Sequence, residues 1–430
     1  MLNQIVNLAF LLLVIYYGLR RVKIGVLIYC IGTFVVPIFR IGGLELSFDV
    51  WCFPIVLAIY SIKNKKIVFR NHFISLVPYA YVYIILSLIN AIRFDCGISV
   101  ATIYATIRFI LTIKIIDDVW EGEVFSFVDK AVGIVILANA ICSIVQMANI
   151  IPVKVFYDLY YKDTMTPLLT QLEIGSFNRA YGTTGSPVIL GGIAAFTYAF
   201  YFSVFVSGKH KVKMNVLKMG ACIICGVFAL SKTAILAIPI ISVYIFFISV
   251  ATGEIFKNKR FSKTLLLIAI GAVGVLFVFY WMRAKGFAID WYLKYLKNPF
   301  AALDTRYNSE SGILSETMDV ISEHILLGVG HANFNGVFIG DSSYIVLLYH
   351  TGIIGLFAYL FPYCIMLLRS IKRKDVVGSS LIVVFFLIAI GNSMYLSYWF
   401  IPFAAFMFES NKKVNVVVIQ NFQAKKKLPS

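Results

Sequence analysis

Charged residues are scarce in this chain. They make up 14% of its 430 residues, whereas 60% are hydrophobic, and the mean hydropathy is +0.87. Soluble domains carry roughly 25% charged residues, so the composition excludes an ordinary soluble domain. Apolar runs of helix-spanning length recur from one end of the chain to the other, and charged residues close each run. The composition therefore predicts a helical membrane protein.

The chain also lacks the motifs of several enzyme and transporter classes. It has no Walker A loop, no H-E-x-x-H sequence, and no series of Asp, Glu and His residues in successive apolar runs. Seven cysteines are present, but Cys222 and Cys225 lie within an apolar run and have no second ligand pair. We therefore predict no metal and no cofactor. No internal repeat is evident.

The Lys and Arg residues give the chain a formal net charge of +17. Most of them stand in clusters at alternate gaps between apolar runs, which is typical of cytoplasmic loops. This pattern argues against a nucleic-acid partner. It places the N-terminus outside and the C-terminus in the cytoplasm, and it requires an odd number of spans. The clusters cover residues 20–23, 63–70, 209–218, 257–263, 369–374 and 412–427.

The apolar runs predict an all-α polytopic membrane protein with about 12–14 transmembrane helices. The predicted spans are residues 2–19, 24–40, 46–62, 73–92, 97–116, 124–150, 187–207, 217–231, 234–250, 264–281, 341–368, 376–391 and 393–409. They form an N-terminal group (1–150), a central group (187–281) and a C-terminal group (341–409), followed by a basic cytoplasmic tail (410–430).

Two connections, residues 151–186 and 282–340, are much longer than the others. The predicted topology places both outside, and long ordered loops are usually functional. The second contains aromatic residues interleaved with lysines, then apolar residues at helical spacing from Ile313 to Ile325. We therefore predict two large extracytoplasmic loops with short helices, and we expect the polar chemistry on this face rather than inside the bundle.

The segment from Asn178 to Pro187 is the first candidate site. It combines Arg179 with two glycines and directly precedes an apolar run, and Pro187 suits the first position of a helix. Backbone N–H groups, a helix start and a guanidinium together favour an anion. The alternative is an interfacial arginine that extends to lipid headgroups. Both interpretations fit the arginine taken alone.

Three further candidates lie in or beside the second loop. Arg306 could complete a bidentate clamp on a diphosphate, or it could form a surface ion pair with Asp304 or Glu310. Asp341 could act as a general base on a hydroxyl, or it could simply cap the next helix. His331 could take the role of Asp341, or it could be an ordinary loop residue.

Two basic residues near or within the spans complete the set of candidates. Lys232 stands in a Ser-Lys-Thr turn between two short spans, and Arg108 lies deep in the span 97–116. An intramembrane arginine is costly and indicates function by default. Pairing inside the bundle would also explain Arg108.

The order of these motifs resembles the O-antigen polymerase (Wzy-type) and O-antigen ligase (WaaL-type) superfamily. Arg-Ala-Tyr-Gly at 179–182 comes first, Ser-Lys-Thr at 231–233 follows, and the long loop with Arg306 comes next. Residues 323–330, Asp-Ser-Ser-Tyr from 341 and Gly-Ile-Ile-Gly-Leu from 352 complete the set. The resemblance covers about the C-terminal two thirds of the chain, and the N-terminal spans match only as hydrophobic helices.

The resemblance implies a glycosyltransferase of the bacterial inner membrane that makes a polysaccharide such as O-antigen (a part of lipopolysaccharide) or capsule. It would transfer a glycan from undecaprenyl diphosphate to the sugar hydroxyl of another lipid-linked repeat unit, with inversion and without metal. Arg179 and Arg306 would bind the diphosphate, Lys232 replaces the family's usual arginine, and Asp341 would activate the acceptor. Asp341-Ser342 stands where ligases commonly have His-Asn, which favours a polymerase. The implied partners are the lipid-linked donor and acceptor, the bilayer, a chain-length regulator and a flippase.

Two other functions stay open. A ligase would use the same donor site and a different acceptor. A transporter or flippase for lipid-linked oligosaccharides belongs to another class, in which inverted repeats and helices broken near the membrane midplane are common. The two long outer loops and the lack of a repeat argue against it.

Overall fold

The computed structural model describes residues 2–41, 44–64, 77–160, 171–208, 212–254, 312–332, 336–340, 342–392 and 397–411, together with residues 280, 283, 284, 298, 308 and 394. These residues are mostly helical. The helices are α1 (Leu2–Arg20), α2 (Val22–Val35), α3 (Phe48–Asn64), α4 (Val77–Arg93), α5 (Val100–Val119), α6 (Val124–Met147), α7 (Val153–Tyr160), α8 (Pro187–Val206), α9 (Val212–Phe228), α10 (Lys232–Ala251), α11 (Ser315–Glu323), α12 (Ser343–Lys372) and α13 (Val376–Ala389). Residues 401–411 form α14.

Five of the described helices are long and apolar enough to cross a membrane. They are α1, α6, α8, α10 and α12, and four shorter apolar helices, within α2, α4, α9 and α13, accompany them. Large apolar side chains such as Leu12, Phe247 and Phe357 are exposed on the outer faces of three of these five, as expected of a surface that contacts lipid. The prediction of a helical membrane protein is confirmed at this level.

The predicted spans other than 264–281 and 393–409 each coincide with a helix. The span 264–281 lies outside the described residues. The helix expected from residue 393 begins only at 401, after a 3-10 turn at Tyr398–Phe400. At Met394 the backbone N–H donates a hydrogen bond to the Ser343 Oγ atom of α12 at 2.7 Å. That N–H is therefore satisfied without a helix.

The expectation of an all-α fold also needs a small correction. A two-stranded antiparallel hairpin, β1 (Phe39–Ile41) and β2 (Leu44–Leu46), joins α2 to α3. Phe39 pairs with Leu46 in its register. The hairpin lies between two predicted spans, so it shortens them without changing their number.

Helix α8 occupies the centre of the bundle. Nearly all of its residues are buried, and it packs against α6, α9, α10 and α13. A helix that is hydrophobic all round is stable only when its whole surface is covered. Phe196 lies against Trp399, Phe400 and Phe403, with ring centroids 5.0 to 5.9 Å apart. The central position of α8 fixes the place of its N-terminal end, where the candidate site lies.

Two small clusters lie beside the main core. Val153 and Phe156 of α7 pack on Phe177 and Tyr181, in the first of the long connections. In the second, α11 occupies the stretch where apolar spacing predicts a helix, and Leu314 and Ile321 pack against Ile345 and Tyr349 of α12. The helix ends at Glu323, and most of this connection before residue 312 lies outside the described residues.

Candidate functional site

The starts of three helices, α8, α10 and α12, meet at one end of the bundle. Asn392 connects two of them: its Nδ2 donates to the Val188 carbonyl at 3.0 Å, and its carbonyl accepts from the Ser343 hydroxyl at 2.8 Å. Gly191, in the first turns of α8, approaches Ser231 so closely that an added Cβ would lie 2.4 Å from the Ser231 Cβ. Sequence segments that are far apart in the chain therefore share one surface.

The Arg179 segment is held in place by two amide side chains of α6. Gln146 Oε1 accepts from the backbone N–H groups of Tyr181 at 2.9 Å and Gly182 at 3.0 Å. Asn139 Oδ1 accepts from the Thr183 N–H at 2.8 Å. Because Gln146 and Asn139 are fully buried, these bonds are shielded from water. The segment is therefore a fixed turn rather than a loose connection.

Gly182 allows this close attachment. Its φ of 58° lies in the left-handed region, and an added Cβ would lie 2.1 Å from Asn139 Oδ1. Only glycine adopts this conformation without strain. The end of the segment is equally regular, because α8 begins at Pro187 and the Ser186 hydroxyl accepts from the Ile189 N–H at 3.5 Å. The prediction of Pro187 at the first helical position is confirmed.

Arg179 itself is half-buried at the edge of this turn. Its neighbour Ala180 donates its backbone N–H to the Phe228 carbonyl at 2.8 Å, at the end of α9. The Nε atom of Arg179 is buried and has no hydrogen-bond partner among the described residues. A buried donor without a partner costs about 1–3 kcal/mol. An acceptor oxygen placed at this guanidinium would remove that cost.

Lys232 is the first residue of α10, and its side chain is half-buried. Leu230, two positions earlier, has a φ of 47°, which makes the turn between α9 and α10 sharp. Phe228, which bonds to Ala180, is only four positions before Lys232. The turn that carries Lys232 thus adjoins the turn that carries Arg179.

Arg306 and Asp341 lie outside the described residues. Ser342, which follows Asp341 in the chain, donates from its hydroxyl to the Ala389 carbonyl at 3.3 Å. The start of α12 therefore belongs to the same end of the bundle as Val188. That Arg179 lies close to Arg306 and to Asp341 stays a prediction.

A cavity of about 120 Å³ lies next to the Arg179 turn. Its walls are formed by the end of α2, the start of α3, residues 183–185 and the start of α8, together with Tyr398. The hydroxyl-bearing residues that line it are Thr33, Ser47, Thr183, Thr184 and Tyr398. Sequence analysis did not point to α2 and α3, because their contribution depends on how they pack against the distant Arg179 segment.

His331 lies at a different place, where α12 is broken. Gly352 interrupts α12 with φ 60° and ψ −166°, and the segment 325–330 fills the break. The N–H of Gly330 donates to the His350 carbonyl at 3.0 Å, and the His350 Nδ1 donates to the Gly330 carbonyl. His331 Nε2 forms a hydrogen bond with the Tyr83 hydroxyl at 3.0 Å.

The imidazole of His331 is close to a second histidine. Its ring centroid lies 4.5 Å from that of His350. Burial, and to a smaller extent His350, lower the pKa of His331 to about 4. His331 is therefore neutral at physiological pH and can accept a proton only weakly. This value is close to the ordinary pKa of an Asp carboxyl, about 3.9, so basicity does not separate His331 from Asp341 as a general base.

Arg108 is buried and paired. Its Nη2 atom lies 2.8 Å from Asp49 Oδ2, and both side chains are less than 10% exposed. The Nε and Nη1 atoms of Arg108 have no hydrogen-bond partner among the described residues. The pair links α5 to the first turn of α3, which supports the reading of Arg108 as an internal partner of the bundle.

The expectation that polar chemistry is confined to the outer loops is incomplete. Two further ion pairs lie among the helices: Lys114 with Asp118, and Lys218 with Asp129 at 2.6 Å. The Tyr201 hydroxyl also donates to Asp129 Oδ1 at 2.9 Å. Spacing along one helix reveals only the first pair, because the second joins residues 89 positions apart.

Among the described residues, no group of three or more His, Cys, Asp or Glu side chains is placed to hold a metal ion. No protein-family model matches the chain, and no curated protein matches it.

Proposed function

We propose that this protein is a membrane glycan polymerase. It transfers a glycan from undecaprenyl diphosphate to a sugar hydroxyl of another lipid-linked repeat unit, at the outer face of the bacterial inner membrane. The observation that carries the proposal is Arg179, whose buried Nε donor lacks a partner among the described residues and which stands on a turn fixed by α6. Lys232 lies on the adjoining turn, so a second positive charge is close to the same surface.

The proposed reaction requires that the two substrates are held in position and that the negative charge on the leaving group is stabilised. The acceptor hydroxyl attacks the anomeric carbon of the donor, a new C–O bond forms, and the bond to the diphosphate breaks with inversion. The hydroxyl proton goes to Asp341, and the diphosphate leaves with the electron pair. Arg179, with Arg306 and Lys232, stabilises the negative charge that grows on the leaving group. A guanidinium suits this role because it donates two parallel hydrogen bonds to phosphate oxygens.

The test uses a strain that lacks the chromosomal gene and is complemented with variants. We expect Arg179→Ala to leave single repeat units instead of a polymer ladder on a gel of surface polysaccharide. Hydrogen bonds to charged groups contribute about 1.5–3 kcal/mol each, so losing two of them lowers the rate by roughly 10²- to 10⁴-fold. Arg179→Lys keeps the charge but not the paired geometry, so we expect shorter and sparser polymer.

Arg21→Ala is the matched control, because Arg21 is exposed and its side chain caps no helix. It should give the full ladder. A full ladder from Arg179→Ala, with the protein at its normal level in the membrane, would overturn the proposal. Accumulation of unattached polymer in the strain without the gene would instead indicate a ligase.

A transporter of lipid-linked oligosaccharides is the second candidate, and one observation favours it. The break of α12 at Gly352, filled by the segment 325–330, is the kind of discontinuous helix found in transporters. The same complementation strain separates the two. If the protein were a transporter, the strain without the gene would retain its lipid-linked units at the cytoplasmic face, and no single units would reach the surface.

A further inference from the structure

The cavity beside the Arg179 turn differs from the anion site in its chemistry. Five hydroxyl-bearing residues line it, and no charged side chain does so among the described residues. A diphosphate therefore has no counter-charge there. A neutral, hydroxyl-rich ligand fits such a lining better, because hydrogen bonds rather than ion pairs would hold it.

The size of the cavity limits what it can hold. An apolar cavity of about 150 Å³ accommodates one benzene ring, and this cavity has a volume of about 120 Å³. It can therefore take no more than one six-membered ring. Thr33, Ser47 and Tyr398 are half-buried rather than fully enclosed, so the cavity is accessible from the surface and the rest of a longer ligand can extend outward.

The hydroxyls of three wall residues, Thr33, Thr183 and Thr184, already donate to the backbone. Thr33 Oγ1 donates to the Cys30 carbonyl at 2.7 Å, and Thr183 Oγ1 donates to the Phe34 carbonyl at 3.1 Å. A hydroxyl that has donated its hydrogen still has lone pairs to accept with. These wall atoms therefore offer acceptors, which are complementary to the O–H donors of a sugar.

Aromatic side chains supply the remaining walls. Phe34, Phe48 and Tyr398 all line the cavity, and the rings of Phe34 and Tyr398 meet edge to face with centroids 6.2 Å apart. Aromatic walls with a few placed polar groups are typical of small-molecule sites. The C–H faces of a pyranose are apolar enough to pack on such rings.

We propose that this cavity binds one neutral sugar ring, the ring of the acceptor glycan that is to be extended. The proposal rests on the function proposed above. Thr183 and Thr184 line the cavity and follow Arg179 on the same fixed turn. A sugar in the cavity would thus lie beside the site where Arg179 holds the donor diphosphate.

The experiment measures sugar binding directly, with the full chain in lipid nanodiscs. Saturation-transfer difference NMR is recorded with D-glucose, D-galactose, N-acetyl-D-glucosamine and L-rhamnose as separate probes. We expect a signal from at least one of them. Thr33→Leu fills the cavity and removes an acceptor, and should lower that signal at least fivefold. Thr33→Ser keeps the hydroxyl and should stay within twofold of the unmodified protein.

Tyr398→Phe serves as a second variant, because it removes one polar atom and keeps the ring. It should lower the signal at least twofold. The proposal is overturned if none of the four sugars gives a signal, or if Thr33→Leu and Tyr398→Phe both bind like the unmodified protein.

Two combined outcomes separate this inference from the proposed function. Unchanged sugar binding in both Thr33→Leu and Tyr398→Phe, together with loss of polymer in Arg179→Ala, would reject the cavity and keep the polymerase. Lost sugar binding in Thr33→Leu, together with full polymer in Arg179→Ala, would reject the polymerase. The acceptor role of the cavity would then fall with it.

Discussion

Replacing Gly352 with alanine should release the segment 325–330 from α12. Gly352 has φ 60° and ψ −166°, a conformation that residues with a side chain rarely adopt. An added Cβ would lie 2.3 Å from the Leu326 carbonyl oxygen and 2.4 Å from its carbonyl carbon. Both are backbone atoms, so no side-chain rotation can relieve the clash.

The size of the effect follows from the strain that the alanine adds. A side chain in such a sparsely populated backbone conformation costs about 1–3 kcal/mol. In the unmodified protein four backbone hydrogen bonds hold the segment against α12, from Val329 to Tyr349 at 2.8 Å, from Gly330 to His350 at 3.0 Å, from Ile353 to Ile325 at 2.8 Å and from Ile354 to Leu326 at 3.4 Å. Each contributes about 0.5–1.5 kcal/mol. These bonds break on opening in both proteins, so the strain alone changes the opening equilibrium, and about 1–3 kcal/mol corresponds to a roughly 5- to 150-fold change.

Hydrogen–deuterium exchange read by mass spectrometry is the assay, with the protein in nanodiscs. Peptides that cover 324–332 should exchange roughly 5- to 150-fold faster in Gly352→Ala. Peptides from α8 should not change, because α8 belongs to the separate main core. Gly220→Ala is the matched control: Gly220 lies within α9, an added Cβ would meet nothing within 4 Å, and helix propensity favours alanine by about 1 kcal/mol.

The reasoning would be refuted by one clear result. If Gly352→Ala inserts normally and the peptides over 324–332 keep their protection, then Leu326 does not press against this glycine. The break in α12 would then have another cause.

Three further predictions concern residues at or near the candidate site. Gly182→Ala should lower the free energy of unfolding by about 1–3 kcal/mol, because its φ is 58° and its Cβ would meet Asn139. Thermal unfolding in detergent measures this change, and an unchanged melting temperature would contradict it. Arg108→Met should destabilise the protein by about 3–5 kcal/mol, since it leaves the Asp49 carboxylate buried without its partner. Adding Asp49→Asn should recover at least half of the loss, and failure to recover would show that the charge pair is not the cause. The pKa of His331 is about 4, below its ordinary value of 6.5, so the unfolded state binds more protons between these values and stability is lost as pH falls from about 6.5 to about 4. Exchange over 324–332, corrected for intrinsic pH dependence, should accelerate in that window, and His331→Asn should reduce the acceleration.

Local patterns in the sequence determined the class of the protein and the positions of most helices. Apolar runs, charged ends and turn residues act over a few neighbouring positions, so they can be read without knowledge of the fold. Pro187 marks the start of α8 for this reason. The same patterns fail at residues 397–400, which form no α-helix, and at Met394, whose backbone N–H is satisfied by Ser343 from another helix.

Only part of the candidate site could be predicted from the sequence. Arg179 was evident from its glycine-rich surroundings, but nothing local distinguishes Gln146 and Asn139 from other polar residues in an apolar run. Their role as anchors of the Arg179 turn depends on contacts across 35 to 44 positions. The cavity that α2 and α3 share with this turn has the same origin.

Sequence alone therefore determined that this is a helical membrane protein with a basic, glycine-containing turn before a central span. Tertiary structure decided which segments meet that turn, why Gly352 breaks α12, and which buried charges are paired. The physical reason is how far apart the interacting residues lie along the chain. Helix formation is set by neighbours along the chain, whereas the partners of Arg108, Gln146 and Gly352 come from distant segments that only packing brings together.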